Sequence, residues 1–236
     1  MTGKTVKLLV FDLKADLGHF RRPDTTATHA TYPFITRTAL RGLLGSILGL
    51  DHWDGDAWTG IQLLNPIIAR AQQLSLLGKG YFSGGSQSFN RPTSIELVIK
   101  PHYRIYYTGD LFGELHESLE QGLSVYHTYL GSVFAMTKPR FVDLLEAEER
   151  QPEETIECIS VVPSHVVRQL EVQPGRQYMR AGGIPYRSLG EYSFEGTMNF
   201  IYERSGQSIR FRPSGSTPGA EVRWAELPSG GWVSLW

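Results

Sequence analysis

The chain has 236 residues, 41% of them hydrophobic, with a mean hydropathy of −0.23 and a formal charge of −1. That length can bury a real core as one large domain or two small ones; no apolar run reaches the roughly 18 residues that cross a bilayer, and the N-terminus lacks a signal-peptide layout. The one cysteine, Cys158, excludes an internal disulfide and a cysteine-based zinc cage, so a cytoplasmic setting is expected.

Val6 to Leu13 is apolar on both alternating faces, the pattern of a central strand covered on two sides. A basic and aromatic bend follows. His19, Phe20, Arg21 and Arg22 lie together before Pro23, offering a ring to stack on a base and two guanidiniums for phosphates. Thr25, Thr26, Thr28 and Thr31 add hydroxyls that can bond phosphate and sugar oxygens without reading sequence. A helix is expected over 36–48, with Thr36 as its cap and Gly49 as its end. Leu40, Leu43, Leu44, Ile47 and Leu48 fall in one arc, and Thr38, Gly42, Gly45 and Ser46 fall opposite. Interior glycines each cost about 1 kcal/mol relative to alanine, so something must approach the backbone there, either RNA or another protein segment.

These residues resemble the fifth family of CRISPR-associated proteins, here Cas-five, of the repeat-associated (RAMP) superfamily. The family pattern is a strand, a Gly-His-Phe-Arg-type turn, a threonine-rich segment and Tyr-Pro-x-x-Thr-Arg-Thr-Ala-x-x-Gly-x-x-Gly-x-x-Leu-Gly. The chain has Gly18, His19, Phe20 and Arg21, then Tyr32, Pro33, Thr36, Arg37, Thr38, Ala39, Gly42, Gly45, Leu48 and Gly49. Beyond about residue 110 the resemblance is only an order of elements.

Asp51 to Gly60 reads as a loop in which Trp53 and Trp58 fold back as a satellite cluster; its aspartates lack the spacing and terminal Glu of a calcium loop. Ile61–Leu77 and Pro92–Tyr107 read as two long extended segments joined by a Gly- and Ser-rich tip, 78–91. Lys79, Tyr81, Phe82, Phe89 and Arg91 give that tip cations and rings that can straddle a single strand. GKGYFSGG is neither G-x-G-x-x-G nor a Walker loop, so no phosphate cofactor is expected. Asp110–Leu123 reads as an amphipathic helix on Leu111, Leu115 and Leu119, and strands are expected over Val133–Leu144 and Thr155–Val162 and in pieces after Tyr178. Residues 176–194, rich in Gly, Tyr and Arg, are either a second RNA-facing loop or an irregular connection, and the second is preferred.

Charge is segregated. Residues 1–109 carry 12 Lys or Arg against 7 Asp or Glu, while 110–157 carry 3 against 11. The basic half suits a phosphate-facing surface; the acidic segment suits solvent or a basic partner, with 146–157 read as a solvated turn. The histidines at 29, 52, 127 and 165 show no metal-ligand spacing, and G-x-S-x-G is absent. No cofactor and no metal are expected.

The expected fold class is α+β, an RRM-like ferredoxin core with a long β-hairpin thumb and a β-rich C-terminal extension. Residues 1–150 form the RNA-binding domain, with the thumb at about 61–108, and 151–236 pack on it as the extension. The resemblance implies a noncatalytic subunit of a type I Cascade surveillance complex, nearest to the I-B group, that holds the five-prime handle of the crRNA and caps that end. The residues assigned to this RNA are His19, Phe20, Arg21, Arg22, Tyr32, Thr36, Arg37, Arg41, Lys79, Tyr81, Phe82 and Arg91. Implied partners are the Cas-seven backbone subunit, a large Cas-eight-type subunit, target DNA through the guide and, in a transposon-directing system, transposition proteins. Two alternatives stay open: a protein-only adaptor, and a metal-independent endoribonuclease using Lys100, His102 and Tyr32. One branch of the family has such a set with lysine and histidine adjacent, whereas here Pro101 intervenes.

Overall fold

The computed structural model describes residues 3–25, 28–53, 55–79, 88–190, 193–214 and 222–236. The first long strand, β1 (Lys4–Lys14), leads through a two-residue strand, β2 (Leu17–Gly18), to helix α1 (Arg37–Leu48). Four strands follow: β3 (Ala57–Leu63), β4 (Ala69–Lys79), β5 (Ser88–Ile99) and β6 (His102–Gly109). Helix α2 (Phe112–Glu120) precedes β7 (Arg140–Glu149), β8 (Ile156–Cys158), β9 (Val162–Pro163) and β10 (Val167–Leu170). The last elements are β11 (Tyr178–Gly190), β12 (Ser193–Glu203), β13 (Ile209–Pro213), β14 (Arg223–Glu226) and β15 (Trp232–Leu235). The fold is α+β, strand-rich with few helices, as expected for its class.

Nine strands form one sheet in the order β10-β13-β8-β15-β14-β7-β1-β6-β3. β1 lies within it, and its alternation places Leu9, Phe11 and Leu13 in the core beneath α1 and α2. Leu8 and Val10 point the other way, against Ala225, Val233 and Leu235 of β14 and β15. The two-sided apolar pattern of β1 therefore reflects a sheet that curls over itself. Its seam is closed by Thr59 of β3 and Trp236, which exchange backbone hydrogen bonds of 3.2 and 3.1 Å.

Helix α1 begins and ends where its sequence dictates. Thr36 Oγ1 accepts the amide of Ala39 at 3.2 Å, and Gly49, at φ 74°, takes the left-handed closing conformation. Leu40, Leu43, Leu44 and Ile47 are buried and Leu48 partly so. At about 1.5–3 kcal/mol for each fully buried large side chain, this stripe holds the helix to the sheet. In α2 the stripe is Leu115 and Leu119, while Leu111 is an exposed left-handed residue before the first turn (φ 57°).

Several expectations are corrected. Each predicted long segment is broken, between β3 and β4 and between β5 and β6. Pro66 and Pro101 have no amide proton for a ladder, and Lys100 adopts φ 47°. Of the four strands β3 to β6, only β4 and β5 leave the main sheet, pairing from Ala69–Val98 to Lys79–Ser88, so the finger spans 69–99 rather than 61–108. Trp53 joins the main core against Tyr107, while Trp58 lies on β3 under Arg223, 4.0 Å from its guanidinium carbon, so the two do not form one cluster. The strand expected at 133–144 starts at Arg140, because 123–139 is a lobe bonded to other elements. Glu146–Glu149 complete β7 instead of turning in solvent, and Arg150 bonds Glu226. Residues 178–190 are a strand, not an irregular connection: β11 pairs with β12 along its length.

Candidate nucleic-acid interface

The His19–Arg22 bend is held against the base of the finger. β2 pairs with β5 at Leu17–Ile99 and Gly18–Val98, and His29 exchanges backbone bonds with Ser94 and Glu96. His19 Nδ1 lies 2.8 Å from the Glu96 carbonyl oxygen. A carbonyl can only accept, so Nδ1 carries the hydrogen and Nε2 keeps its lone pair. Burial lowers the His19 pKa, opposed by this bond and helped by the charge of Arg21. At neutral pH the imidazole is therefore uncharged, and the cations of this region are arginines. The pKa of His29, whose ring stacks on His19 at 6.5 Å, is lowered by burial and then by the charges of Arg21 and Arg91. The bend and the finger thus bring Arg21 and Arg91 into one field around His29, and both are exposed.

Other predicted residues are engaged inside the chain. Phe20 is 3% exposed and its ring meets Tyr103 at 6.3 Å, so it is a core residue that closes the floor of the cleft and does not offer a ring for stacking. Arg22 makes a two-pronged pair with Asp24 at 3.1 and 2.7 Å. Tyr32 is buried and donates its hydroxyl to the Gly183 carbonyl at 2.6 Å. Thr36 is spent as the helix cap. Arg37 is buried, donates to the Tyr186 carbonyl at 3.0 Å and lies 4.3 Å over the Tyr186 ring. Arg41 donates to the Gly55 carbonyl. Burial lowers the pKa of both guanidiniums. The hydroxyls of Thr25 and Thr31 also bond the backbone of their own loop, leaving Thr28 exposed. Thr26, Tyr81 and Phe82 lie outside the described residues, as do the side chains of Lys79 and Phe89.

What these contacts build is a groove. A cleft of about 730 Å³ is lined by the bend (His19, Phe20, Arg21), by Tyr32, by Thr36, Thr38 and Ala39 of α1, and by Pro185, Ser188 and Phe194 of the β11–β12 hairpin. A second, of about 380 Å³, continues along α1 past Thr38, Arg41, Gly42 and Ser46, and Ser188 borders both. Sequence reasoning missed this wall. Gly182 and Gly183 made the segment read as loop, and the signal available was Arg187 and Tyr186 among those glycines.

The two helix glycines have different causes. A Cβ on Gly45 would meet the Leu50 carbonyl oxygen at 3.3 Å, so internal packing explains it. Among the described residues, a Cβ on Gly42 would meet nothing within 4 Å. Its open backbone faces the groove.

The endoribonuclease set does not assemble. His102 Nε2 lies 3.6 Å from Asp12, whose carboxylate also holds Arg104 at 2.8 and 3.0 Å, on the face of β6 opposite Tyr103 and Ile105. Tyr32 packs in the cluster that contains Tyr103 and Ile105. The tyrosine and histidine therefore stand on opposite faces of the sheet.

Residues 8–79 match the family described as CRISPR-associated protein (Cas_Cas5). No curated protein matches the sequence. Among solved structures, the chain is similar to one described as "CRISPR RNA-guided surveillance complex", with a TM-score of 0.53 and 12% identity over 90% of this chain and 94% of that one. It is also similar to a CRISPR protein from Archaeoglobus fulgidus, with a TM-score of 0.55 and 12% identity over 97% of this chain and 98% of that one. At such identity the likeness is one of fold, and it spans elements well beyond the matched segment. The matched segment, the first third of the chain, holds the bend and the α1 motif, and over it the chain is similar to the CRISPR-associated Cas-five family.

Proposed function

We propose that this protein is a noncatalytic subunit of a type I, Cascade-kind surveillance complex, and that its groove holds the five-prime handle of the crRNA. The observation that carries the reading is the open backbone at Gly42. A helix interior tolerates glycine at a cost of about 1 kcal/mol, and among the described residues no atom uses the room. A sugar-phosphate strand lying along Thr38, Gly42 and Ser46 would use it, with Arg21 and Arg91 pairing phosphates and His19 Nε2 accepting a ribose hydroxyl. The strand order β7-β1-β6-β3, with α1 after the first core strand and α2 after the third, supports reading residues 1–150 as a ferredoxin-like core carrying a finger. The C-terminal strands β8, β10, β13, β14 and β15 join that sheet, which supports an extension packed on one body. Backbone and large subunits of the complex are its natural partners on this reading.

Gly42→Gln separates the groove from the fold. Glutamine is the better helix former, so the variant should be more stable by up to about 1 kcal/mol in chemical denaturation. RNA copurifying with the assembled complex, quantified by sequencing and by absorbance, should nevertheless fall severalfold. Unchanged guide content with a stabilised protein would sink the reading.

The cations give a second test. Arg21→Ala with Arg91→Ala removes two exposed phosphate partners while leaving Arg22 with Asp24. The slope of log affinity against log salt for a single-stranded repeat RNA should become shallower by about 1.4. An unaltered slope would place the strand elsewhere. Products from repeat RNA in EDTA, lost in His102→Ala, would revive the nuclease alternative.

A further inference from the structure

The segment between α2 and β7 is a small lobe whose apolar side chains face outward. Its interior is satisfied: Leu130 N–H donates to the Ala135 carbonyl at 2.8 Å, Thr137 N–H to the Thr128 carbonyl at 3.0 Å, and the Thr128 hydroxyl to the Thr137 carbonyl at 2.6 Å. It is also anchored. Val125 and Tyr126 donate to the carbonyls of Ile47 and Ser46 at the end of α1, Leu130 accepts from His19, and the Thr137 hydroxyl donates to the Lys14 carbonyl. Thr128, Leu130, Ala135 and Thr137 turn inward and are buried. The intervening residues turn out: Tyr129 and Met136 bridge side by side, with Val133 and Phe134 at the tip. Val133 is 75% exposed and Met136 57%. A mere connection has no use for such residues, and a contiguous apolar patch on a fixed backbone marks an interaction surface.

The charge beside the lobe selects its occupant. Helix α2 leads into it with Glu114, Glu117 and Glu120 exposed and no basic residue in its last turn. Glu117 and Glu120 stand at the helix end that is already partially negative, an unfavourable placement for a carboxylate. Nearby compensation comes from Lys138, whose side chain lies beside Gly122. RNA would be repelled by this helix. We propose that the lobe at 123–137 is a protein-docking surface, and that its occupant is another protein subunit presenting an apolar surface rimmed by lysine and arginine. Such a rim is what a subunit that itself binds RNA carries. The inference rests on the reading that the chain works inside an assembly, and deepens it by naming the surface and the chemistry of the partner.

Two arms test it. In the first, the full chain is coexpressed with the other subunits of its surveillance complex, and oxidation of Met136 by dilute peroxide is followed by mass spectrometry in the free chain and the complex. Protection of Met136 by at least about tenfold is expected. Val133→Asp with Phe134→Ser should keep the circular dichroism, thermal midpoint and RNA affinity of the isolated chain yet drop out of the complex on size exclusion. A complex in which Met136 stays as reactive as in the free chain overturns the inference and leaves the RNA reading standing. Protection by RNA alone, or a dimer of the isolated chain abolished by the double variant, overturns it as well, because the occupant is then RNA or a second copy. If no complex forms, the assembly reading has failed and the second arm decides. There, a short amphipathic leucine–lysine peptide is titrated into the isolated chain. Affinity should fall about tenfold or more in the double variant and severalfold in Glu117→Lys with Glu120→Lys. Equal affinity for all three proteins overturns the inference.

Discussion

Trp236→Ala is expected to cost about 3–5 kcal/mol of stability, the range for removing a fully buried large aromatic ring. Trp236 is fully buried, packs 4.4 Å from the ring of Phe200, and belongs to the cluster that contains Phe34, Tyr107 and the α1 leucines. Its backbone amide and carbonyl, paired with Thr59, close the curled sheet. The ring therefore does two things at once: it fills the space beneath the β11–β12 hairpin and fixes the seam on β3. Equilibrium unfolding in urea would measure the loss, with Trp236→Phe as a control that keeps part of the ring and should lose distinctly less. For a chain of this size the alanine variant should melt roughly 10 °C lower. A loss under about 1 kcal/mol would mean that the seam is not closed by this residue.

Gly131→Ala should cost at least about 3 kcal/mol and disturb the groove. Gly131 sits at φ 81°, where an L side chain loses about 1–2 kcal/mol. Its added Cβ would also run into the backbone carbonyl of His19 and lie 2.9 Å from the Phe20 ring. The carbonyl cannot simply retreat, because the His19 amide donates to Leu130 at 3.0 Å in the same contact. Either the lobe lifts or the bend moves, and both line the larger cleft. RNA affinity should fall together with stability. Gly230→Ala calibrates the conformational part, since Gly230 has φ 87° and open space around it and should lose only about 1–2 kcal/mol. Equal losses for the two variants would show that the contact with His19 is unimportant.

Local pattern made a good part of this protein legible. The apolar run of β1, the Thr36 cap, the Gly49 end and the leucine arc of α1 follow from short-range periodicity and capping, which act within a turn or two of chain. The same holds for the pairing of cations with the bend, and for the asymmetry between Gly42 and the leucine face. By itself, then, the sequence determined where the central strand and first helix lie, the helix face left bare, and the family pattern they carry. Tertiary structure alone decided which polar and aromatic groups remain available. Phe20, Tyr32, Arg37 and Arg41 read as ligand-facing by type, yet each is engaged by a neighbour 14 or more positions away or by core burial. Tyr32 and His102 were separable only once the register of β6 on β1 set their faces. Residues 178–190 became a groove wall because β12 supplies the hydrogen bonds that its glycines do not demand locally. Composition states what a side chain can do; burial and strand pairing, which depend on residues far along the chain, decide whether it is free to do it.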